Sequence, residues 1–173
     1  MRKRLYQSVV NDLLVVAPAG SCGKALCGPG TELALGAPAT PGEPQPAIPC
    51  GQLQANGESA WPAVYDVQLG SGTGEVTLTF NAVNAPDKFI VEYDGAEVIN
   101  TGYRGSTSQA ALNSRLAFNG AAPEPIAGPG QGTATFTKTS ASPATARVYV
   151  WAPGAPGTTI WSFTLGCPVE NAE

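Results

Sequence analysis

The chain has 173 residues, a formal net charge of -4 and only 13% charged residues, with 21 Gly and 16 Pro. That length suits one compact domain with extensions rather than two full domains. The composition excludes a coiled coil and a highly charged disordered chain, and leaves a turn-rich β protein.

Charge is unevenly placed along the chain. Arg2, Lys3, Arg4 and Lys24 are four of the nine basic residues, whereas beyond Cys50 five bases face ten acids. An acidic body repels phosphate backbones, so no sequence-specific nucleic-acid binding is expected. Residues 1–16 begin like a leader peptide, but Asn11 and Asp12 interrupt an apolar run that would need roughly 7 to 15 residues. No stretch approaches the roughly 20 apolar residues of a membrane span. The expectation is a soluble, unprocessed chain with no membrane partner.

The first 17 residues form an arm. Leu5, Val9, Leu13 and Val16 recur at spacings of four, four and three, which fits one face of a helix, while VVNDLLVV fits a strand laid against a partner. Both readings make Arg2, Lys3, Arg4, Leu5, Val9, Leu13 and Val16 partner-binding residues, by strand addition or helix-in-groove docking. Residues 18–51 contain seven Pro and seven Gly and sustain neither a helix nor a central strand. The predicted division is an arm and Pro/Gly segment over 1–51, then a domain over 52–173.

Within that domain the apolar period is two. In GEVTLTFNAV, Val76, Leu78 and Phe80 alternate with Thr77 and Thr79, and KFIVEYDG repeats the pattern with Phe89, Val91 and Tyr93 inward. AVYDVQLG precedes them, and AEVINTGY, TATFTKTS, ARVYVWAP and IWSFTLGC follow, for about seven strands. Asp94-Gly95 joins two of these into a hairpin, with Val98 inward on the second. SQAALNSRLAF is the one helical stretch, predicted to lie across an end of the fold. The expected class is all-β, an antiparallel two-sheet β-sandwich, immunoglobulin-like or jelly-roll-like.

Four cysteines, Cys22, Cys27, Cys50 and Cys167, occur without any histidine. Disulfides 22–27 and 50–167 are the favoured pairing, because the second would clamp both ends of the sandwich and implies an oxidising setting. A four-thiolate zinc site is the alternative, although no second closely spaced pair follows Cys22 and Cys27.

Lack of histidine removes Ser-His-Asp, Cys-His and HExxH designs, and no Walker A pattern is present. Asp87, Glu92, Asp94 and Glu97 remain as acidic candidates. They could serve as a catalytic pair at Glu92 and Asp94 or as calcium ligands, but a polar strand face explains them better. The expectation is therefore no enzyme, no cofactor and no metal. Among the tryptophans Trp161 reads as core, while Trp61 and Trp151 could stack on a glycan. Tyr149 shares the face of Trp151, and Tyr103 and Arg104 sit at a strand exit, so these four residues, Tyr103, Arg104, Tyr149 and Trp151, are the surface-contact candidates.

The run PDKFIVEYDGAEVINTGYRG, followed by LNSRLAFNG, PEPIAGPGQGTATFTKTSASPATARVYVWAP and TIWSFTLGCP, resembles a β-sandwich domain that recurs in tailed-bacteriophage virion structural proteins and some bacterial surface proteins. The resemblance covers residues 74–168 and excludes the arm. It implies a virion or surface location and carries no catalytic residues. With the arm, it leads to the expectation of a capsid decoration or cement protein. Its partners would be other virion proteins, chiefly the major capsid protein, and it would be homo-oligomeric in the assembly. A carbohydrate-binding or adhesive module, or a head-tail connector or fibre-attachment protein, is the alternative.

Overall fold

The computed structural model describes residues 6–10, 13–17, 47–155 and 157–169. They fall into two compact units, 1–43 and 44–173. In the first, β1 (Tyr6–Val10) and β2 (Leu13–Ala17) pair antiparallel, with Val10 opposite Leu13 and Tyr6 opposite Ala17. These two strands pair with each other, in place of the helix or the single strand against a partner that the spacing suggests. Arg2, Lys3, Arg4 and Leu5 lie outside the described residues, as do Cys22 and Cys27.

The second unit is an all-β two-sheet sandwich, and all seven predicted strands are present. They are β5 (Ala60–Gln68), β6 (Gly74–Asn81), β7 (Asp87–Tyr93), β8 (Ala96–Arg104), β10 (Gln131–Lys138), β11 (Thr145–Ala152) and β12 (Trp161–Leu165). Three short strands lack the alternating pattern: β3 (Ile48–Pro49), β4 (Gln54–Asn56) and β9 (Ile126–Gly128). One sheet has the order β10-β6-β12-β4 and the other β3-β5-β11-β7-β8-β9. Pairing is antiparallel except for β3 with β5 and β8 with β9. The larger sheet includes β3, so its strands start at Ile48, four residues ahead of Gln52.

Period-two alternation places one face of each sheet in a shared core. Val76, Leu78, Phe80, Phe163 and Leu165 come from the smaller sheet, and Val67, Phe89, Val91, Ile99, Val148 and Val150 from the larger. Phe89 stacks on Phe80 with ring centroids 5.4 Å apart and meets Phe163 edge-on at 6.5 Å. Trp161 is fully buried, as its alternation with Phe163 and Leu165 requires. The outward face of the smaller sheet is mostly threonine: Thr79 lies between Thr133 and Thr164, and Thr77 pairs with Thr135. Cys50 and Cys167 form a disulfide across 117 residues, so these two sulfurs are bonded to each other and not held for zinc.

Helix α1 (Gln109–Phe118) starts at Ser108, whose side chain accepts the Ala111 N–H at 3.3 Å as an N-cap. It does not cross an end of the sandwich. Its Leu112 and Leu116 instead form a second small core with Tyr103, Ile126 and Trp151, residues on the side of the larger sheet away from the main core. Gln109 fastens it there, donating to the Glu124 carbonyl at 2.7 Å and accepting the Ile126 N–H at 3.0 Å.

A bulge in β8 makes this second core possible. Lys88 faces Tyr103 but Ile90 faces Asn100, so β8 carries one extra residue between them, next to Gly102 at φ 61°. The extra residue turns Tyr103 to the outer face. A Cβ at Gly102 would lie 2.7 Å from the Ala127 Cβ, whereas one at Gly95, also left-handed at φ 73°, would meet nothing within 4 Å. Gly95→Ala is expected to cost only backbone strain of about 1 kcal/mol, and Gly102→Ala about 2–3 kcal/mol because β9 must also move. Urea denaturation of both variants measures the difference; equal losses would mean that the β8–β9 approach imposes no constraint.

Candidate functional site

The outer face of the larger sheet is organised in transverse rows, one residue from each strand. In the first, Arg147 of β11 lies between Asp66 of β5 and Glu92 of β7, and Glu92 faces Glu97 of β8. In the second, Tyr149 lies between Val64 and Ile90, with Asn100 beyond. Trp151, Lys88, Tyr103 and Ile126 form the third, the row that α1 covers. Charge thus grades into aromatic surface along the strands.

A trough of about 500 Å³ opens at the charged end, lined by Asp66, Glu92, Asp94, Pro143, Thr145 and Arg147. Arg147 grips Asp66 with Nε–Oδ1 at 2.7 Å and Nη2–Oδ2 at 3.2 Å. Hydrogen bonding to Asp66 raises the guanidinium's already high pKa. Their side chains remain 49% and 30% exposed, so this pair contributes at most about 1 kcal/mol to stability. Tyr149 donates its hydroxyl to Glu92 at 3.1 Å, and Tyr93 closes the floor by donating to the Pro143 carbonyl at 3.0 Å. Beneath, Lys138 is buried, donating to the Ser140 carbonyl with its ammonium 6.0 Å from the Tyr93 ring.

Two of the four acidic candidates, Glu92 and Asp94, line this trough, and Glu97 adjoins them in the same row. Asp87 is elsewhere. It opens β7 and is fully buried at the opposite end of the strand, about 20 Å along the chain from Glu92 and Asp94. Among the described residues no three His, Cys, Asp or Glu side chains gather at a spacing that would hold a metal ion. The trough offers hydrogen-bond acceptors at the solvent surface, with its one guanidinium already engaged.

Of the surface-contact candidates, Arg104, Tyr149 and Trp151 are half-buried and Tyr103 is buried. Tyr103 is a correction: it is 1% exposed beneath α1, and burial, followed by the charges of Glu124 and Asp87, pushes its hydroxyl pKa up. Trp151 is half-buried against the same helix, with its indole N–H buried and unpartnered. Arg104 is half-buried over the Phe80 ring at 5.4 Å and donates to the Ala127 carbonyl at 2.9 Å. The helix covers what a strand pattern alone leaves open. Trp61 is the more accessible tryptophan at 37%, packed edge-on against Trp151 at 4.9 Å.

Two contacts in this region have no counterpart in the sequence motifs. Lys88 pairs with Glu124 at 2.9 Å while its ammonium lies 4.7 Å from the Tyr103 ring centroid, fixing the segment after α1 to the sheet. Thr159 binds the buried Asp87 carboxyl. A parity signal was present for the second: Asp87 shares the inward register of Phe89, Val91 and Tyr93, whereas Glu92 and Asp94 share the outward one.

Fold and site together define a disulfide-stapled, all-β two-sheet sandwich with a charged trough at one end of its larger sheet and a helix-covered second core at the other. No known protein family, curated protein or solved structure matches the chain.

Proposed function

We propose that this chain is a non-enzymatic structural protein of a bacteriophage virion, a capsid decoration or cement protein attached through its N-terminal arm to the major capsid protein. The observation that carries the reading is the arm's form, a separate unit containing a ribbon of two five-residue strands. An isolated two-stranded ribbon is marginal in water and gains stability when a further strand or an apolar surface completes it. The sequence YQSVV and LLVVA supplies apolar side chains for such a surface. In this reading the sandwich is the outward body and the arm joins neighbouring subunits.

Deletion should stop at residue 43, since Cys50 belongs to the sandwich disulfide and removing it would confound the test. The full chain is expected to co-sediment stoichiometrically with expanded capsid shells, and the 44–173 form to stay in the supernatant. Equal co-sedimentation of both would sink the arm reading.

A second reading, a glycan-binding or adhesive module, is favoured by one observation. Trp61 and Val64, 37% and 44% exposed, lie on β5 beside half-buried Trp151 and Tyr149. Partly exposed aromatics of this kind stack on sugar rings as readily as on protein. A glycan array on the 44–173 form decides it. The control is Trp61→Ala, because Trp151→Ala would also disturb the packing under α1.

A further inference from the structure

The end of the sandwich where β7 begins holds a carboxyl group that the proposed function does not use. Asp87 is 0% exposed, and both of its oxygens contact one hydroxyl, Thr159 Oγ1, at 2.9 and 2.8 Å. Thr159 is itself buried in the connection from β11 to β12. A hydroxyl has one proton to donate, so it satisfies one carboxylate oxygen. The second contact becomes a hydrogen bond when the carboxyl brings a proton of its own.

The surrounding charges are committed elsewhere. Arg115 of α1 spends its guanidinium on the same connection, with Nη1 on the Pro153 carbonyl at 3.1 Å and Thr158 Oγ1 at 3.2 Å, and Nη2 on the Thr158 carbonyl at 3.2 Å. Arg104, opposite Asp87 on β8, is bound to the Ala127 carbonyl. Lys88 points to the other face of the sheet and pairs with Glu124, its ammonium over the buried Tyr103 ring. Burial therefore dominates: it pushes the Asp87 carboxyl up to about 8 against the opposing pull of the Thr159 hydrogen bond and the Arg115 charge.

We propose that the β11–β12 connection is a pH-sensitive clasp, closed while Asp87 carries the proton it shares with Thr159 and released when that proton leaves. Release places a bare carboxylate in a dry site a short distance from Arg115, which then exchanges its bonds to Thr158 and Pro153 for the new charge. The connection walls two clefts that meet at Thr158. One, of about 170 Å³, is lined by Val83, Ala85, Thr159 and Ile160; the other, of about 260 Å³, by Arg115, Phe118, Gly154 and Thr158. Opening the clasp reshapes both. The folded-state pKa lies above the ordinary carboxyl value, so the clasp's stabilisation is fully present below about pH 4 and is lost as pH rises through about 8.

Carboxyl carbon NMR on the full chain tests this directly. The Asp87 carboxyl signal is expected to titrate with a midpoint near 8, and the Thr158 and Thr159 amide signals to shift with the same midpoint. Asp87→Asn should remove that shift, and Thr159→Val should give the released amide positions at every pH. An Asp87 midpoint in the ordinary carboxyl range of about 4 overturns the proposal, as do amide signals that ignore the titration. Should Asp87→Asn fail to fold, the wild-type titration alone decides.

Discussion

Replacing Cys50 and Cys167 with serine is expected to destabilise the sandwich unit by about 4–5 kcal/mol, with the loss seen as a lower urea midpoint. The bridge spans 117 residues, and in the chain-entropy account a loop of that size restricts the unfolded chain by about that much. It also acts locally. Cys50 follows β3 of the larger sheet and donates its N–H to the Gln68 carbonyl at 3.1 Å, while Gly51 donates to the Leu165 carbonyl of the smaller sheet at 2.7 Å. Cys167 follows β12, so the disulfide holds the two layers together where the short strands β3 and β4 have few hydrogen bonds of their own. Reduction of the wild-type chain should match the double serine variant and raise the urea m-value, because the unfolded state expands. An unchanged midpoint would show that the layers are held by packing alone.

The second large effect is expected at Phe89. Its ring is fully buried, stacked on Phe80 and edge-on to Phe163, so this one side chain from the larger sheet fills the space between two from the smaller. Phe89→Ala removes the ring and leaves a cavity that both sheets would have to move together to close. The expected loss is about 3–5 kcal/mol, or a fall in Tm of roughly 10–20 °C for a unit of this size. Phe89→Leu should recover more than half of it. Calorimetry of the two variants checks the order, and an alanine variant within about 1 kcal/mol of wild type would mean that the aromatic trio is not the centre of the core.

Much of the sandwich was legible because one buried face per strand writes itself as alternation. Val76, Leu78 and Phe80 or Phe89, Val91 and Tyr93 can be assigned to the core on that ground, and the Asp94-Gly95 hairpin follows from its turn residues. The pattern fails where its assumptions fail. The bulge beside Val98 shifts the parity of β8 so that Ile99 joins the core, and the one beside Gly102 shifts it back, so Tyr103 faces outward as plain alternation expects. Alternation also assumes that the second face meets water, and α1 covers part of that face, which buries Tyr103 and half-buries Trp151. Strands of two or three residues such as β3, β4 and β9 are too short to show any period. The charged trough was half visible: Glu92, Asp94 and Glu97 are neighbours in sequence, but Asp66 and Arg147 reach it from strands distant along the chain. Asp87 is near them in sequence, but its parity with Phe89, Val91 and Tyr93 assigns it to the interior, where it is buried.

The arrangement of strands at the sheet margins limits how copies of this chain can associate. The larger sheet ends in β3 and β9, two and three residues long, and one side of the smaller sheet ends in β4, three residues long. Short margins expose too few free amides and carbonyls to template a neighbour. Each covers little of the strand behind it, however: β3 pairs only with Val67 and Gln68 of β5, and β9 only with Tyr103 and Arg104 of β8, so among the described strands the rest of β5 and of β8 are long margins alongside the eight-residue β10. Each sheet therefore keeps a long margin at which a further strand, from a partner or a second copy, can add.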